Sequence, residues 1–247
     1  MTGTPRTPHP LRMAVEARAL LDGAELLLRT PSLARVRKGD GHSVIVLPGF
    51  GASDMSTALL RRFLSSKGYD VQGWGLGTNH GRVIDLLPMV LHLVRTTAAR
   101  SGRVSLVGWS LGGVLAREAA RELPNQVRRV ITMGTPVVGG PKYTQTARTF
   151  QARGVDLDHV ERMIDERELR PITVPITAIY SHNDGVVDWR ACIDRVTPGV
   201  EHIRVRATHL GMGASAEVFR IVAHRLAATP PAAGPAPRPA GTAPAGS

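Results

Sequence analysis

The fold of this chain is most tightly constrained by ten residues, Val104-Ser105-Leu106-Val107-Gly108-Trp109-Ser110-Leu111-Gly112-Gly113. A β-branched and aliphatic run enters Gly-x-Ser-x-Gly, and a helix-forming sequence from Val114 to Glu122 follows at once. That is the order strand, sharp turn, helix. The turn, a nucleophile elbow, strains the serine backbone. Gly108 and Gly112 stand where side chains would strike neighbouring backbone and keep the serine oxygen from standing clear. Ser110 is therefore the candidate nucleophile. A glycine-rich turn that merely contains a serine is the competing reading of the five-residue pattern taken alone.

Further along, Pro175 to Ser181 reads as a buried strand running into His182-Asn183-Asp184-Gly185, and His202 to Val205 as a second strand running into Thr208-His209-Leu210-Gly211. Serine, acid and histidine thus follow in that order, each just past the end of a strand. Asp188 is the rival acid, but Asp184 sits in the tight Asn-Asp-Gly turn that would aim a carboxylate at His209. His182 lies before the acid and His202 opens a strand, which leaves His209 as the candidate base.

On these residues the chain resembles the α/β-hydrolase superfamily, and within it small bacterial lipase-like and esterase-like proteins with Gly-Trp-Ser-Leu-Gly-Gly, over roughly residues 43–226. The resemblance also rests on Leu47-Pro48-Gly49-Phe50-Gly51, which is similar to the oxyanion loop after the family's third strand, and on Met133-Gly134-Thr135-Pro136. Many members carry His-Gly where this chain has Pro48-Gly49. The implied architecture is the α/β-hydrolase fold, a mostly parallel doubly wound sheet, here of about six strands because the family's first two are missing ahead of Val44–Leu47. By position, the backbone N–H groups of Phe50 and Leu111 are the oxyanion donors. Trp109 and Met133 near the nucleophile would suit an apolar acyl chain. Asn79, in the glycine-rich loop Gly73–Gly81 on the same rim, is read either as pocket wall or as loop support.

The implied chemistry is hydrolysis of carboxylic esters through an acyl-enzyme on a Ser110, Asp184, His209 triad, needing no metal or organic cofactor. Two alternatives stay open. An alcohol, amine or thiol in place of water would make the same triad an acyltransferase, and a binding protein could retain the fold without catalysis.

With 247 residues, 43% of them hydrophobic, one α/β domain is expected over residues 11–228, between a disordered or loosely attached N-terminus 1–10 and a disordered Pro/Ala-rich tail 229–247. Residues 11–28 read as a helix whose apolar face is Leu11, Val15, Leu20, Leu21, Leu27 and Leu28, packed on the domain. Glu16, Asp22 and Glu25 spoil a purely cationic membrane face for it. Residues 135–174 interrupt the alternation of strands and helices with about 40 residues. They are read as a small cap over Ser110 or as a crossover helix with a long lead-in.

The formal charge of +11 raises the question of nucleic acid. The arginines are scattered along the chain and aromatic residues make up only 4%, so neither a basic block nor a stacking platform is present and nucleic acid is not expected as a partner. Attraction to anionic substrates or lipid surfaces is the more modest consequence. No window approaches the roughly 18 apolar residues of a membrane span, and no secretory succession opens the chain, so a cytoplasmic location is expected. The single cysteine, Cys192, reads as a small buried apolar residue. Oligomeric state leaves no trace in the sequence.

Overall fold

The computed structural model describes residues 3–228, so the disordered tail expected at 229–247 lies outside the described residues. Six parallel strands form one sheet: β1 (Ser43–Leu47), β2 (Asp70–Gly73), β3 (Val104–Trp109), β4 (Val127–Met133), β5 (Ile176–Ser181) and β6 (Glu201–Val205), in the order β2-β1-β3-β4-β5-β6. The helices are α1 (Ala19–Ala34), α2 (Ala58–Ser66), α3 (Val83–Ser101), α4 (Leu111–Glu122), α5 (Ala147–Ala152), α6 (Leu157–Glu168) and α7 (Ala216–Ala227).

Every residue of β1 and β3 is buried, which explains why these strands read as unbroken apolar runs: a parallel strand is covered on both faces. Alternation along β1 divides the core. Val44 and Val46 pack with Leu60, Leu64, Phe219 and Val222 of α2 and α7, whereas Ile45 and Leu47 pack with Val90, Leu115 and Ala119 of α3 and α4. After β1 the chain moves outward to β2, then returns across β1 to β3. Such a reversal opens a crevice at the carboxyl ends of β1 and β3, and those ends carry Pro48-Gly49-Phe50 and Ser110.

The N-terminal region departs from expectation in two ways. Residues 6–9 are fastened, not loose: Arg6 N–H donates to Asp188 Oδ2 at 2.8 Å, the Thr7 hydroxyl to the Lys142 carbonyl at 2.9 Å, and Gln145 Nε2 to the carbonyls of Pro8 and His9. The helix that follows is a 3-10 segment, Pro10–Arg18, continued by α1 well beyond Leu28. It packs on the domain, with Leu26 and Leu33 against the core, but much of the expected apolar face turns outward. Leu11, Leu20, Leu21 and Leu28 are exposed, while Glu16 is only 5% exposed and the Asp22 carboxylate bonds Thr208. Apolar periodicity misleads here because the inward face is chosen by unpaired N–H groups of distant loops, which a carboxylate satisfies and a leucine cannot.

The segment between β4 and β5 divides into two parts. Phe150 of α5 packs against Phe50 with ring centroids 4.9 Å apart and the planes tilted by 41°, and the Arg153 guanidinium lies over the Phe50 ring at 5.1 Å. This part covers the loop after β1. In contrast, α6 is fixed to α4 by ion pairs of Glu168 with Arg117 and Arg121 and of Arg167 with Glu118, while Arg117 also meets the buried Asp194 at 2.8 Å. The first part thus lies against the loop after β1, and α6 lies along α4 as a crossover helix.

Candidate active site

Among the described residues Ser110 is the one non-glycine residue with positive φ, at φ 52 and ψ −123. The chain must reverse between β3 and α4 within one residue, and the conformation costs on the order of 1–3 kcal/mol that the surrounding packing sustains. Two glycines make it possible. A side chain on Gly108 would collide with Gly113 backbone, and one on Gly112 with the carbonyls of Leu47 and Pro48. The elbow and the loop after β1 therefore touch backbone to backbone. Ser110 N–H donates to the Met133 carbonyl at 2.7 Å, fixing the turn against the end of β4.

Asp184 and His209 meet. His209 Nδ1 lies 2.7 Å from Asp184 Oδ2, with both side chains buried. The other carboxylate oxygen, Oδ1, accepts from Val186 N–H at 2.9 Å and Val187 N–H at 2.7 Å, so the turn itself sets the carboxylate's orientation. Gly134, directly after Met133, leaves the space this pair fills: a Cβ there would lie 2.9 Å from His209 Nδ1 and 3.1 Å from Asp184 Oδ2. Burial pulls the imidazole pKa down, but the charge of Asp184, its hydrogen bond and the charge of Glu16 together carry it above the ordinary value of 6.5. If His209 must be neutral to accept a proton, kcat/KM should rise with pH through a midpoint above 6.5, a limb that a pH–rate profile reads directly.

The rivals have other duties. Asp188 bonds Arg6 N–H, caps the 3-10 turn Trp189–Cys192 and pairs with Arg190. His202 Nε2 accepts from Asp194 N–H, and His182 packs on Trp189 with centroids 4.4 Å apart. Cys192 is buried, and burial pushes its thiol pKa well up, which leaves it an inert apolar residue. Among the described residues no group of three or more His, Cys, Asp or Glu is arranged to hold a metal ion, and no helix is long and apolar enough to cross a membrane.

The loop after β1 approaches the serine closely: a Cβ on Gly49 would lie 3.2 Å from Ser110 Cβ. Leu111 opens α4, so its N–H has no acceptor within the helix and points toward the serine end. Phe50 is half-buried beneath Phe150. Three pocket assignments need correction. Asn79 is fully buried, its Nδ2 donating to the Pro48 carbonyl at 2.9 Å and its Oδ1 accepting from Gly81 N–H, so it props the loop and presents no surface to substrate. Met133 is likewise without exposure and packs in the core with Trp109 and Met212, because its place on a central strand turns it inward. Trp109 is 8% exposed and backs the His209 ring at 6.1 Å, a support and not a wall.

Asn79 thus supplies the side-chain brace that the His-Gly pair would otherwise have suggested. The sequence hint was there: an Asn amid glycines offers both a donor and an acceptor to neighbouring backbone. Asn79→Ala should leave the buried Pro48 carbonyl unpaired, costing about 1–3 kcal/mol of stability. If the Phe50 N–H is an oxyanion donor, loosening its loop should lower kcat about tenfold, less than outright loss of one donor. Thermal unfolding and steady-state kinetics measure the two effects separately.

No family model matches the chain. A stretch of 119 residues, 44% of the chain, is 34% identical to part of the polyketide synthase ThaQ of Burkholderia thailandensis, covering 6% of that protein. Another of 110 residues, 43% of the chain, is 28% identical to the pimeloyl-[acyl-carrier protein] methyl ester esterase of Aliivibrio salmonicida, covering 41% of it. The chain thus spans less than half the length of either curated relative. Among solved structures, one from work on LipS and LipT, two metagenome-derived lipolytic enzymes, superposes with a TM-score of 0.59 at 17% identity over 76% of this chain and 93% of that one. Mouse alpha/beta hydrolase domain-containing protein 10 gives 0.51 at 21% identity, over 76% and 89%. The fold is the α/β-hydrolase fold. The turn carrying Ser110 follows the central strand β3, the turn carrying Asp184 follows β5 and the loop carrying His209 follows β6, each at the carboxyl edge of the sheet.

Proposed function

We propose that this chain is a serine hydrolase that cleaves carboxylic esters with an apolar acyl part. The observation that carries the reading is a strained Ser110 and a buried Asp184–His209 bond on the same edge of the sheet. In this reading His209 Nε2 takes the Ser110 proton as Oγ attacks the ester carbonyl. Asp184 holds the other ring nitrogen protonated and stabilises the imidazolium. The carbonyl oxygen becomes an oxyanion that accepts from the N–H groups of Phe50 and Leu111, beside the positive end of α4. Collapse breaks the C–O bond, the alcohol leaves with the proton from His209, and water repeats the sequence to release the acid.

The lipolytic enzymes and the methyl ester esterase among the similar proteins support this choice of substrate class. One of those relatives is named for a pimeloyl-carrier-protein methyl ester, so a methyl ester on a carrier-borne acyl chain is the second substrate form to try. The test is a p-nitrophenyl ester series from acetyl to long acyl chains, a carrier-linked methyl ester, and a fluorophosphonate probe with its attachment site located by peptide mass. Hydrolysis together with label on Ser110 supports the reading. Absence of both hydrolysis and label defeats it.

A further inference from the structure

Glu16 is a carboxylate placed where the triad needs none. It belongs to the 3-10 segment Pro10–Arg18, far in sequence from the loops it meets. Oε1 accepts from Gly185 N–H at 2.7 Å and from His209 N–H at 3.1 Å, and Oε2 accepts from Leu210 N–H at 2.7 Å. Gly185 directly follows the acid Asp184. A single side chain therefore bonds the main chain of both the acid's turn and the base's loop. Three charge-assisted bonds in a site 5% exposed are each stronger than neutral ones, and they satisfy donors that would otherwise be buried and unpaired.

The rest of the segment is shaped around this contact. Gly185 has no room for a side chain, since a Cβ would collide with the Arg12 carbonyl and come within 2.9 Å of Glu16 Oε1. Arg12 Nη2 donates to the His182 carbonyl at 2.8 Å, two residues before the acid. Asp22 accepts from the N–H and the hydroxyl of Thr208, one residue before the base. The charges acting on the imidazole are those of Asp184 and Glu16; Asp22 lies behind Thr208, and Arg12 is turned to the His182 carbonyl.

We propose that Glu16 is a positioning residue: it holds the turn carrying Asp184 and the loop carrying His209 at one fixed spacing, and its negative charge stabilises the imidazolium that forms in turnover. The proposal rests on the triad reading, with Glu16 acting through Asp184 and His209 and touching no reacting atom. It gives the N-terminal segment a part in catalysis that its sequence, an acidic residue interrupting an apolar helix, conceals.

The full chain is compared with Glu16→Gln and Glu16→Asp. The glutamine keeps the size but loses the charge and sets an N–H₂ against at least one backbone donor; the aspartate keeps the charge on a shorter stem. Kinetics with p-nitrophenyl butyrate, pH–rate profiles, thermal unfolding and titration of the His209 ring carbon by NMR, assigned with His209→Gln, are the readouts. Glu16→Gln is expected to lower kcat at least about tenfold with KM within about twofold, and to move both the kinetic limb and the ring titration down by about half a pH unit or more. Glu16→Asp is expected to keep the titration near that of the wild type while kcat falls. A folded Glu16→Gln protein with the wild-type kcat and titration overturns the proposal. So does a kcat loss with the ring titration unmoved, the pattern of a merely structural contact. Should Glu16→Gln not fold, Glu16→Asp decides, and an unchanged kcat in it overturns the proposal. If the wild type cleaves no ester, the hydrolase reading fails by itself, and Glu16 is judged on the His209 titration, where no downward shift in Glu16→Gln overturns this inference as well.

Discussion

Replacing Ser110 with alanine is expected to lower ester turnover by about 10⁵- to 10⁶-fold, to the residue of rate that oxyanion donors and binding supply without a nucleophile. The size of the loss follows from the covalent route, for which Ser110 provides the one attacking oxygen. Stability should hardly move. Alanine lacks the hydroxyl but inherits the backbone at φ 52, so the strain stays and the protein should unfold within about 1 kcal/mol of the wild type. Fluorophosphonate labelling should vanish with the activity. An alanine variant that keeps even a hundredth of the rate would move the nucleophile elsewhere.

Asp184→Asn is the second large effect, about 10⁴-fold in kcat. The amide oxygen can still accept from Val186 and Val187 N–H, the bonds that orient the side chain, so the turn is expected to survive. What changes is the partner offered to His209. An N–H₂ in place of Oδ2 turns a proton acceptor into a donor at Nδ1, and the ring answers by carrying its proton on Nε2, where a lone pair is needed to take the serine proton. The kinetic limb should also fall to lower pH, since the largest stabilising charge on the imidazolium is gone. A substitution that left kcat within tenfold of wild type would show that the acid is another residue.

These two predictions concern residues that the sequence exposes. Strand-forming runs such as Val44–Leu47 and Val104–Val107 are legible because parallel strands are buried on both faces, and the elbow is legible because tight backbone contact excludes every side chain at Gly108 and Gly112. The order of Ser110, Asp184 and His209 carries the topology with it. What escapes is whatever depends on one side chain meeting distant main chain. Glu16 and Asp22 look like solvent-facing charges in an apolar helix, yet both turn inward while Leu20, Leu21 and Leu28 turn out. Asn79 and Met133 lie near Ser110 in the expected arrangement, but neither is free to touch a ligand, because hydrogen-bond commitment and strand orientation are properties of the folded chain. The insertion at 135–174 is ambiguous in sequence for the same reason: the Phe150–Phe50 contact and the Glu168 ion pairs join positions with no local signature.

The attachment of residues 6–22 has a consequence for how activity is acquired during folding. Its contacts with Asp188, Gly185, Thr208, His209 and Leu210 close loops of 169 to 194 residues, among the longest closures the chain makes. Contacts of such separation pay their entropy before they return any stability, and they form late relative to the short β1–β2 and β3–β4 crossovers. A chain emerging from the ribosome presents Glu16 first and His209 nearly two hundred residues later. The sheet can be complete while the acid and base loops are still unanchored, so native secondary structure should return on refolding before hydrolytic competence does.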